Sequence, residues 1–339
     1  TRRVGLQRLM KEAGLFNHDG TLRRTAISAA DIGFKIAPRI NAAGRMHHAT
    51  AAFNLLVEED EENARIMAEE INRNNTARQE LTADLTERAR AIIAETHQTN
   101  DPLIVVVGHG WSPGIIGLIA SRIKDEYYKP VIVLAEKDGV HVGSGRSTSG
   151  FNMIQGLQQI PELFVKFGGH PQACGFTLAA SPAELKTALT RIIEMQETDD
   201  TPTLPVDAEV DLEAVTWDLY DLLERFHPFG IGNPEPCFVA RDCEVVHVEP
   251  VGVDGKHRRL HVRHRTSMIR KTIGFNCAEW CPALVAGDHL DMVFEVGVNE
   301  WNGNRELQLK MTDVRLTTTR ALMPMPIAAP VTVPDTTIL

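Results

Sequence analysis

The sequence predicts an α/β plus β protein: a long connecting helix, a mixed α/β domain and an OB-fold barrel. Three observations carry this. From Met46 to Asp101 there is no Gly and no Pro, and Ala, Glu, Arg and Leu abound, which favours uninterrupted helix. From Asp101 to about Met195, apolar runs alternate with helical periods, the mark of an α/β unit. After Pro205, short alternating strands dominate, as in a small barrel.

Composition sets the frame. The chain has 339 residues, room for two or three domains, and a hydrophobic fraction of 43% suits a packed core. No apolar run reaches the roughly 20 residues that span a bilayer. No apolar stretch follows Thr1-Arg2-Arg3 as a signal peptide would require. The chain does not begin with Met, so it reads as a fragment or a processed product. Its five cysteines are Cys174, Cys237, Cys243, Cys277 and Cys281. So few thiols, odd in number, predict a reduced, cytoplasmic protein. Cys277 and Cys281 could share a helix face, but one pair is a weak metal signal and buried thiols are the ordinary reading.

The elements follow in order. A short helix from Val4 to Glu12 ends at Gly14. Phe34 to Met46 places Arg39 and Arg45 around a run of small residues. Small residues allow close backbone approach and arginines suit phosphates; a helix start packed tightly on a neighbour fits equally. Ile66, Met67, Ile71, Leu81, Leu85, Ala89, Ile92 and Ile93 recur at helical spacing, with a break allowed at Asn72 to Thr76. Unbroken, that helix would run about 50 Å with much of its face wet. Leu103 to Val107 is a buried strand. Ser112 and Pro113 open the next helix, which runs to about Glu126. Val131–Leu134 and Val140–Ser144 are strands, Asn152–Ile160 a helix, Ala173–Leu178 a strand. Ser181 to Glu184 is a capping box before the last helix of this domain. A Thr-, Asp- and Pro-rich linker covers 197–205. Strands are then expected at Cys243–Val248, Arg258–His264, Ile269–Phe275, Leu290–Val298 and Glu306–Arg315, with a helical insert at Ala278–Val285 and a hairpin turn at Trp301–Asn304. Five strands with a helix after the third suit an OB fold. The Pro-rich end, 318–339, reads as disordered.

Two glycine-marked segments lie close together: Val142-Gly143-Ser144-Gly145-Arg146-Ser147 and Gly168-Gly169-His170-Pro171. Glycine lets backbone N–H groups approach a ligand, and arginine offers a planar fork of donors to a phosphate. A phosphate or nucleotide pocket and a pair of tight turns explain these segments about equally. The net charge of −10 argues against a nucleic-acid partner. Locally, Lys256 to Lys271 holds seven Lys or Arg, three His and no acid, and such a patch sets the field that a polyanion feels. In Arg259 to Arg263 the bases alternate with Leu260 and Val262, so one face would track a phosphate backbone.

The segments APRINAAGRM, GHGWSPGIIGLIASRI, VGSGRS, GGHPQACGF and PFGIGNPEPCF occur in an order and spacing that resembles the RecJ family of single-strand-specific DNA exonucleases, within the DHH phosphoesterase superfamily. The resemblance spans about Asp31 to Leu316. It implies the end of a DHH domain with an interdomain segment at 1–45, connecting helices at 46–100, a DHH-associated α/β domain at 101–198 and an OB domain at 205–317. It implies 5′→3′ degradation of single-stranded DNA in repair and recombination. Arg39, Arg45, Ser144 and Arg146 would then hold the 5′-terminal phosphate or the strand beside the scissile bond. Gly168, Gly169 and His170 would close that pocket. Arg258, Arg259, Arg263 and Arg265 would hold strand farther away, with Trp301 as a candidate stacker. Single-stranded DNA is the implied partner of an expected monomer; a single-strand-binding protein and a helicase are further candidates.

The departure from the family is the metal site. RecJ-like proteins hold two Mn²⁺ or Mg²⁺ ions on Asp-rich motifs that include Asp-His-His, and this sequence has none. Asp288-His289-Leu290-Asp291, the acids Asp207, Glu209 and Asp211, and His47-His48 are poor substitutes, because two-metal cleavage needs carboxylates bridging ions roughly 4 Å apart. The expectation is a chain that binds DNA, holds no metal and is inactive alone. A stand-alone single-strand-binding module and an oligonucleotide or phosphonucleotide hydrolase of the same superfamily are the alternatives; the OB domain counts against the latter.

Overall fold

The structure, a computed structural model, describes residues 1–17, 19–23, 27–46, 48–196, 201–252, 254–265, 268–301 and 304–317. The expectation for 318–339 and that for His47 lie outside these residues. The chain divides into two compact units, Thr1–Thr203 and Leu204–Leu339. Among the described residues, no helix is long and apolar enough to cross a membrane.

The first unit opens with α1 (Val4–Glu12), α2 (Ala29–Asp31), a π-helical turn (Ile32–Ile36), α3 (Ala37–Met46) and α4 (Thr50–Val57). They pack on α5 (Glu61–Glu95) around Leu9, Leu55, Ala64, Ala68 and Ile71. Asp60 caps α5, accepting from the Asn63 N–H at 2.8 Å. The break allowed at Asn72–Thr76 does not occur: α5 is one helix of 35 residues. Asparagines interrupt helices when their amides compete for the backbone. Here the Asn72 amide oxygen accepts from Arg39 and the Asn75 oxygen from Arg78, so both are occupied elsewhere. Ile66 is exposed, and the buried stripe runs through alanines instead.

The second half of α5 lies on a five-stranded sheet of order β1-β2-β3-β5-β4. The strands are β1 (Ile104–His109), β2 (Val131–Lys137), β3 (Val140–Arg146), β4 (Phe164–His170) and β5 (Ala173–Leu178). Only β1 and β2 are parallel. Leu85, Ala89 and Ile93 of α5 and the isoleucines of α6 (Pro113–Tyr127) cover one face. Short α7 (Met153–Gln158) and α8 (Pro182–Glu194) cover the other, through Leu157, Leu185 and Leu189. The capping box at Ser181 and Glu184 forms as expected. Strand β4, which carries Gly168 to His170, was not foreseen: Val165 and Lys166 are exposed, so its period is weak.

The second unit is a closed barrel. β7 (Cys237–Val251), β8 (His257–Arg263), β9 (Ile269–Gly274), β10 (His289–Trp301) and β11 (Asn304–Leu316) follow the order β7-β8-β9-β11-β10, and β10 pairs back on β7. β9 and β11 are parallel and the other barrel pairs antiparallel. This is the OB arrangement. Two-residue β6 (Ala208–Glu209) flanks β7, and α9 (Trp217–Glu224) precedes the barrel. The helical insert is shorter than expected, four residues as α10 (Cys277–Trp280). Leu260, Val262, Leu290, Met292 and Phe294 fill the interior with no exposure.

Candidate nucleic-acid interface

Strand register brings the two glycine segments together. Across β3, β5 and β4, Arg146 lies opposite Ala173 and Ala173 opposite His170. One pair along, Ser144 lies opposite Gly175 and Gly175 opposite Gly168. Directly opposed residues share a sheet face. Arg146 and Ser144 therefore border a patch floored by Ala173, Gly175 and Gly168, with His170 at its far edge, about 10 Å from Arg146. Gly168, Gly175 and His170 are exposed, and a Cβ at Gly168 would meet nothing within 4 Å. Gly169 answers a different need: its φ is +151°, and a Cβ there would lie 2.3 Å from the Ala173 carbonyl oxygen.

Arg146 is half-buried against α6. Its Nε donates to Ser121 Oγ at 3.1 Å, and its Nη1 to Ser144 Oγ at 2.9 Å and the Gly145 carbonyl at 2.7 Å. Gly117 makes the room, since a Cβ there would lie 2.8 Å from Arg146 Nη2 and 3.1 Å from Ser144 Oγ. Arg45, at the end of α3, donates from Nη1 to the Gly114 carbonyl at 3.0 Å. Arg78, on α5, donates to Asn75, and its Nε is buried without a partner.

These arginines feel one another. Burial pushes the Arg146 guanidinium below its usual pKa, and the Arg45 charge pushes the same way. Burial also lowers Arg78, assisted by Arg45 and Arg122. Among the described residues, the ion pairs on α5 and α6 are made by Arg8, Arg65, Arg88, Arg90 and Lys124, and none involves Arg45, Arg78, Arg122 or Arg146. Four guanidiniums thus set up an uncompensated positive field at the α6 side of the sheet. Arg78 and Arg122 were missed in the sequence, where they look like ordinary helix-surface cations. Arg39 stands apart: its Nε, Nη1 and Nη2 go to Asn72 Oδ1 and to the Lys35 and Glu12 carbonyls, so it braces α3 against α5 and α1.

The OB strand is different. Leu260 and Val262 point inward and Arg259 and Arg263 outward, as the alternation requires. But Arg259 pairs with Glu249 at 2.7 Å, Arg263 with Glu244 at 3.4 Å, Arg265 with Asp211 at 2.7 Å and Lys271 with Glu306 at 2.9 Å. Arg258 shares the inward parity of Leu260 and Val262, so it is not part of the outward basic row. The side chain of Trp301 is outside the described residues.

Among the described residues, no three His, Cys, Asp or Glu side chains converge as a metal site. Asp291 accepts from Arg241 and Arg315, His289 pairs with Asp242, and Asp288 accepts from the Val285 N–H. Asp207 accepts from the Cys237 N–H, and Glu209 pairs with Arg241. These acids serve the barrel, and the residues present do not fit a two-metal centre.

Comparison with known proteins agrees with this architecture. Residues 100–198 match the DHHA1 domain and residues 206–313 the RecJ OB domain. The chain is 33% identical over 318 residues to the single-stranded-DNA-specific exonuclease RecJ of Bacillus subtilis, covering 92% of this chain and 39% of that protein. It is 28% identical to RecJ of Escherichia coli, covering 85% of this chain and 52% of that one. The crystal structure of RecJ from Thermus thermophilus with Mn²⁺ superposes with a TM-score of 0.76 at 24% identity, over 92% of this chain and 44% of that one; at that identity it speaks for the fold. The chain spans about half, or less, of the length of these relatives. It is related to the RecJ exonucleases and corresponds to a C-terminal part of them, built from a DHHA1 domain and a RecJ OB domain.

Proposed function

We propose that this chain is the DNA-holding portion of a RecJ-type 5′→3′ exonuclease acting on single-stranded DNA in repair and recombination. The observation that carries the proposal is the set of four arginines that pair with no carboxylate among the described residues, beside a glycine floor. A guanidinium held by neutral hydroxyls and carbonyls keeps its full charge for a phosphate. Arg146, fixed by Ser144 and Ser121, takes the 5′-terminal phosphate, while Arg45, Arg78 and Arg122 supply field and contacts to the adjoining strand. Gly168 and His170 border the same patch, with Gly169 between them. Arg39 is a brace. The OB strands, with Arg258, Arg259, Arg263 and Arg265, contribute secondary contacts. RecJ of Thermus thermophilus was crystallised with Mn²⁺ and with Mg²⁺; cleavage in the whole protein would use such ions on residues other than those described here. The chain alone should bind single-stranded DNA without cutting it.

The test is Arg146→Ala in the whole protein, with kcat/KM measured on matched oligonucleotides bearing 5′-phosphate or 5′-hydroxyl ends. A terminal phosphate carries more charge than an internal diester. Losing one charge-assisted contact, about 1.5–3 kcal/mol, should slow phosphorylated ends about ten- to a hundredfold and hydroxyl ends far less. Equal slowing of both would make Arg146 a general strand contact or a fold residue.

A further inference from the structure

The barrel holds a pair of groups that strand binding does not use. Cys277 and Cys281 stand one turn apart at α10, where the Cys281 N–H donates to the Cys277 carbonyl at 2.9 Å. Both are free thiols, hydrogen-bonded to each other. Cys277 has no exposure and Cys281 keeps 9%. The segment is tied to the start of β8, since the Ala278 N–H donates to the Lys256 carbonyl at 3.1 Å and the Asn276 N–H to His257 Nδ1 at 3.0 Å. The next residue, Arg258, lies opposite Gly274 in the β8–β9 ladder. Cys277 Sγ packs on that glycine, 3.0 Å from where a Cβ would stand. The dithiol and Arg258 therefore meet at one end of the barrel.

We propose that Cys277 and Cys281 form a dithiol oxidisable by hydroperoxides, with Cys281 as the attacking sulfur and Cys277 as the resolving one. The Cys281 thiolate attacks one oxygen of hydrogen peroxide. The O–O bond breaks, a sulfenic acid forms and hydroxide leaves. The Cys277 sulfur then attacks the Cys281 sulfur, the S–O bond breaks, and the oxygen departs as water with the Cys277 proton. Two thiols lose two electrons, the peroxide gains them, and a dithiol reductant reverses the change. Disulfides span Cα separations of roughly 4.4–6.8 Å, and one helical turn falls in that range. Cys281 already has extended backbone, at φ −87° and ψ 136°, so the helix does not lock it.

Exposure assigns the two roles, since Cys281 keeps 9% of its surface open to a peroxide and Cys277 keeps none, and the electrostatics point the same way. Cys277 donates to Cys281 and holds its thiol below the usual range; burial opposes this, Arg258 adds to it and Asp313 counters it. The same hydrogen bond, with burial, pushes Cys277 upward. The other three thiols are all raised by burial, Cys174 to about 11 and Cys243 to about 12. Thiolate character governs attack on peroxide, so the pair is singled out.

The native 339-residue chain would be treated with hydrogen peroxide, quenched with catalase, then alkylated in denaturant and digested with trypsin. Cys277 and Cys281 share the tryptic peptide Thr272–Arg305. That peptide should lose two hydrogens, and alkylatable thiols should fall from the five of the sequence by that pair, returning with dithiothreitol. In Cys277→Ser, dimedone should trap a sulfenic acid on Cys281; in Cys281→Ser the label should vanish. Five thiols surviving oxidation, a disulfide elsewhere, over-oxidation without a disulfide, or dimedone on Cys277 would each overturn the proposal. The wild-type arm decides even where a variant fails to fold.

Discussion

Arg45, Arg78, Arg122 and Arg146 come from four elements far apart in the chain and, among the described residues, pair with no carboxylate. Arg259, Arg263, Arg265 and Lys271 of the barrel are close in sequence, and each meets one. The sequence makes the second group look like the stronger anion site. The fold reverses that order. Exposed ion pairs contribute about 0–1 kcal/mol to stability, but they cancel the field that a polyanion would feel. Half-buried arginines with neutral partners in place of carboxylates, such as Arg45, Arg78 and Arg146, cost stability and keep the field. A protein tolerates such a cost where a ligand removes it, so the uncompensated cluster is where function is expected.

Four experiments break or sharpen this contrast, taken from the largest expected effect down. Arg78→Met keeps the packing volume and removes a charge whose Nε has no partner. Single-stranded DNA binding, read by fluorescence anisotropy, should fall about tenfold or more, the loss of a charge-assisted contact of about 1.5–3 kcal/mol. The melting temperature should change little, because removing the unpaired Nε–H offsets the lost donor to the buried Asn75 oxygen. A lower melting temperature would make Arg78 a brace like Arg39.

Asp291→Asn is the mirror experiment in the barrel. Asp291 accepts from Arg315 at 2.6 Å, Arg241 at 3.0 Å and the Asp242 N–H at 3.1 Å. Burial alone would raise its pKa, but these partners outweigh burial and hold the carboxyl below its usual range. A depressed carboxyl stabilises the fold above the unfolded pKa of roughly 3.9 and loses that contribution as pH falls through its folded pKa. The variant should lose about 1.5–3 kcal/mol at pH 7 with DNA binding nearly intact. Denaturant titrations of wild type and variant should converge in acid; a constant gap at pH 7 and in acid would assign the loss to packing.

Gly117→Ala should act on the guanidinium and on the Ser144 hydroxyl that holds it. The added methyl meets Arg146 Nη2 at 2.8 Å, the end of a flexible side chain, and alanine suits a helix better than glycine by up to about 1 kcal/mol. Affinity should drop about five- to tenfold at unchanged or higher stability. Gly114→Ala is the control, because there the methyl meets the Arg45 carbonyl oxygen at 2.4 Å and backbone must move, so stability should fall too. Equal behaviour of the two variants would remove Arg146 from the site.

The smallest effect concerns the paired cations. Glu244→Gln with Glu249→Gln frees Arg263 and Arg259. Affinity should rise by at most a few-fold at low salt, and the salt slope should steepen by up to about 0.7 per phosphate gained. Conversely, replacing Arg258, Arg259, Arg263 and Arg265 by Gln would flatten the slope by up to about three units if all four touch phosphate. Their carboxylate partners and the inward placement of Arg258 set the expectation below about one unit. A full three-unit change would restore the barrel as the main grip.

Local pattern determined much on its own. The Gly- and Pro-free run gives α5, because helix propensity and apolar spacing act within a turn or two. Alternation in Arg259 to Arg263 gives strand β8 with Leu260 and Val262 inside, since successive side chains must face opposite ways. The Ser181 capping box and the OB strand sequence are local in the same sense. What only the tertiary structure decided is pairing over distance. Asn72 continues a helix because Arg39 occupies its amide. Ser144, Arg146, Gly168 and His170 become one patch because β5 lies between β3 and β4. The field of a basic residue depends on which acid the fold brings to it, and Glu249 and Glu244 reach Arg259 and Arg263 through strand register rather than adjacency in the sequence. Arg78 and Arg122 had no local signal at all, since Arg78 comes under the charges of Arg45 and Arg122 only after folding.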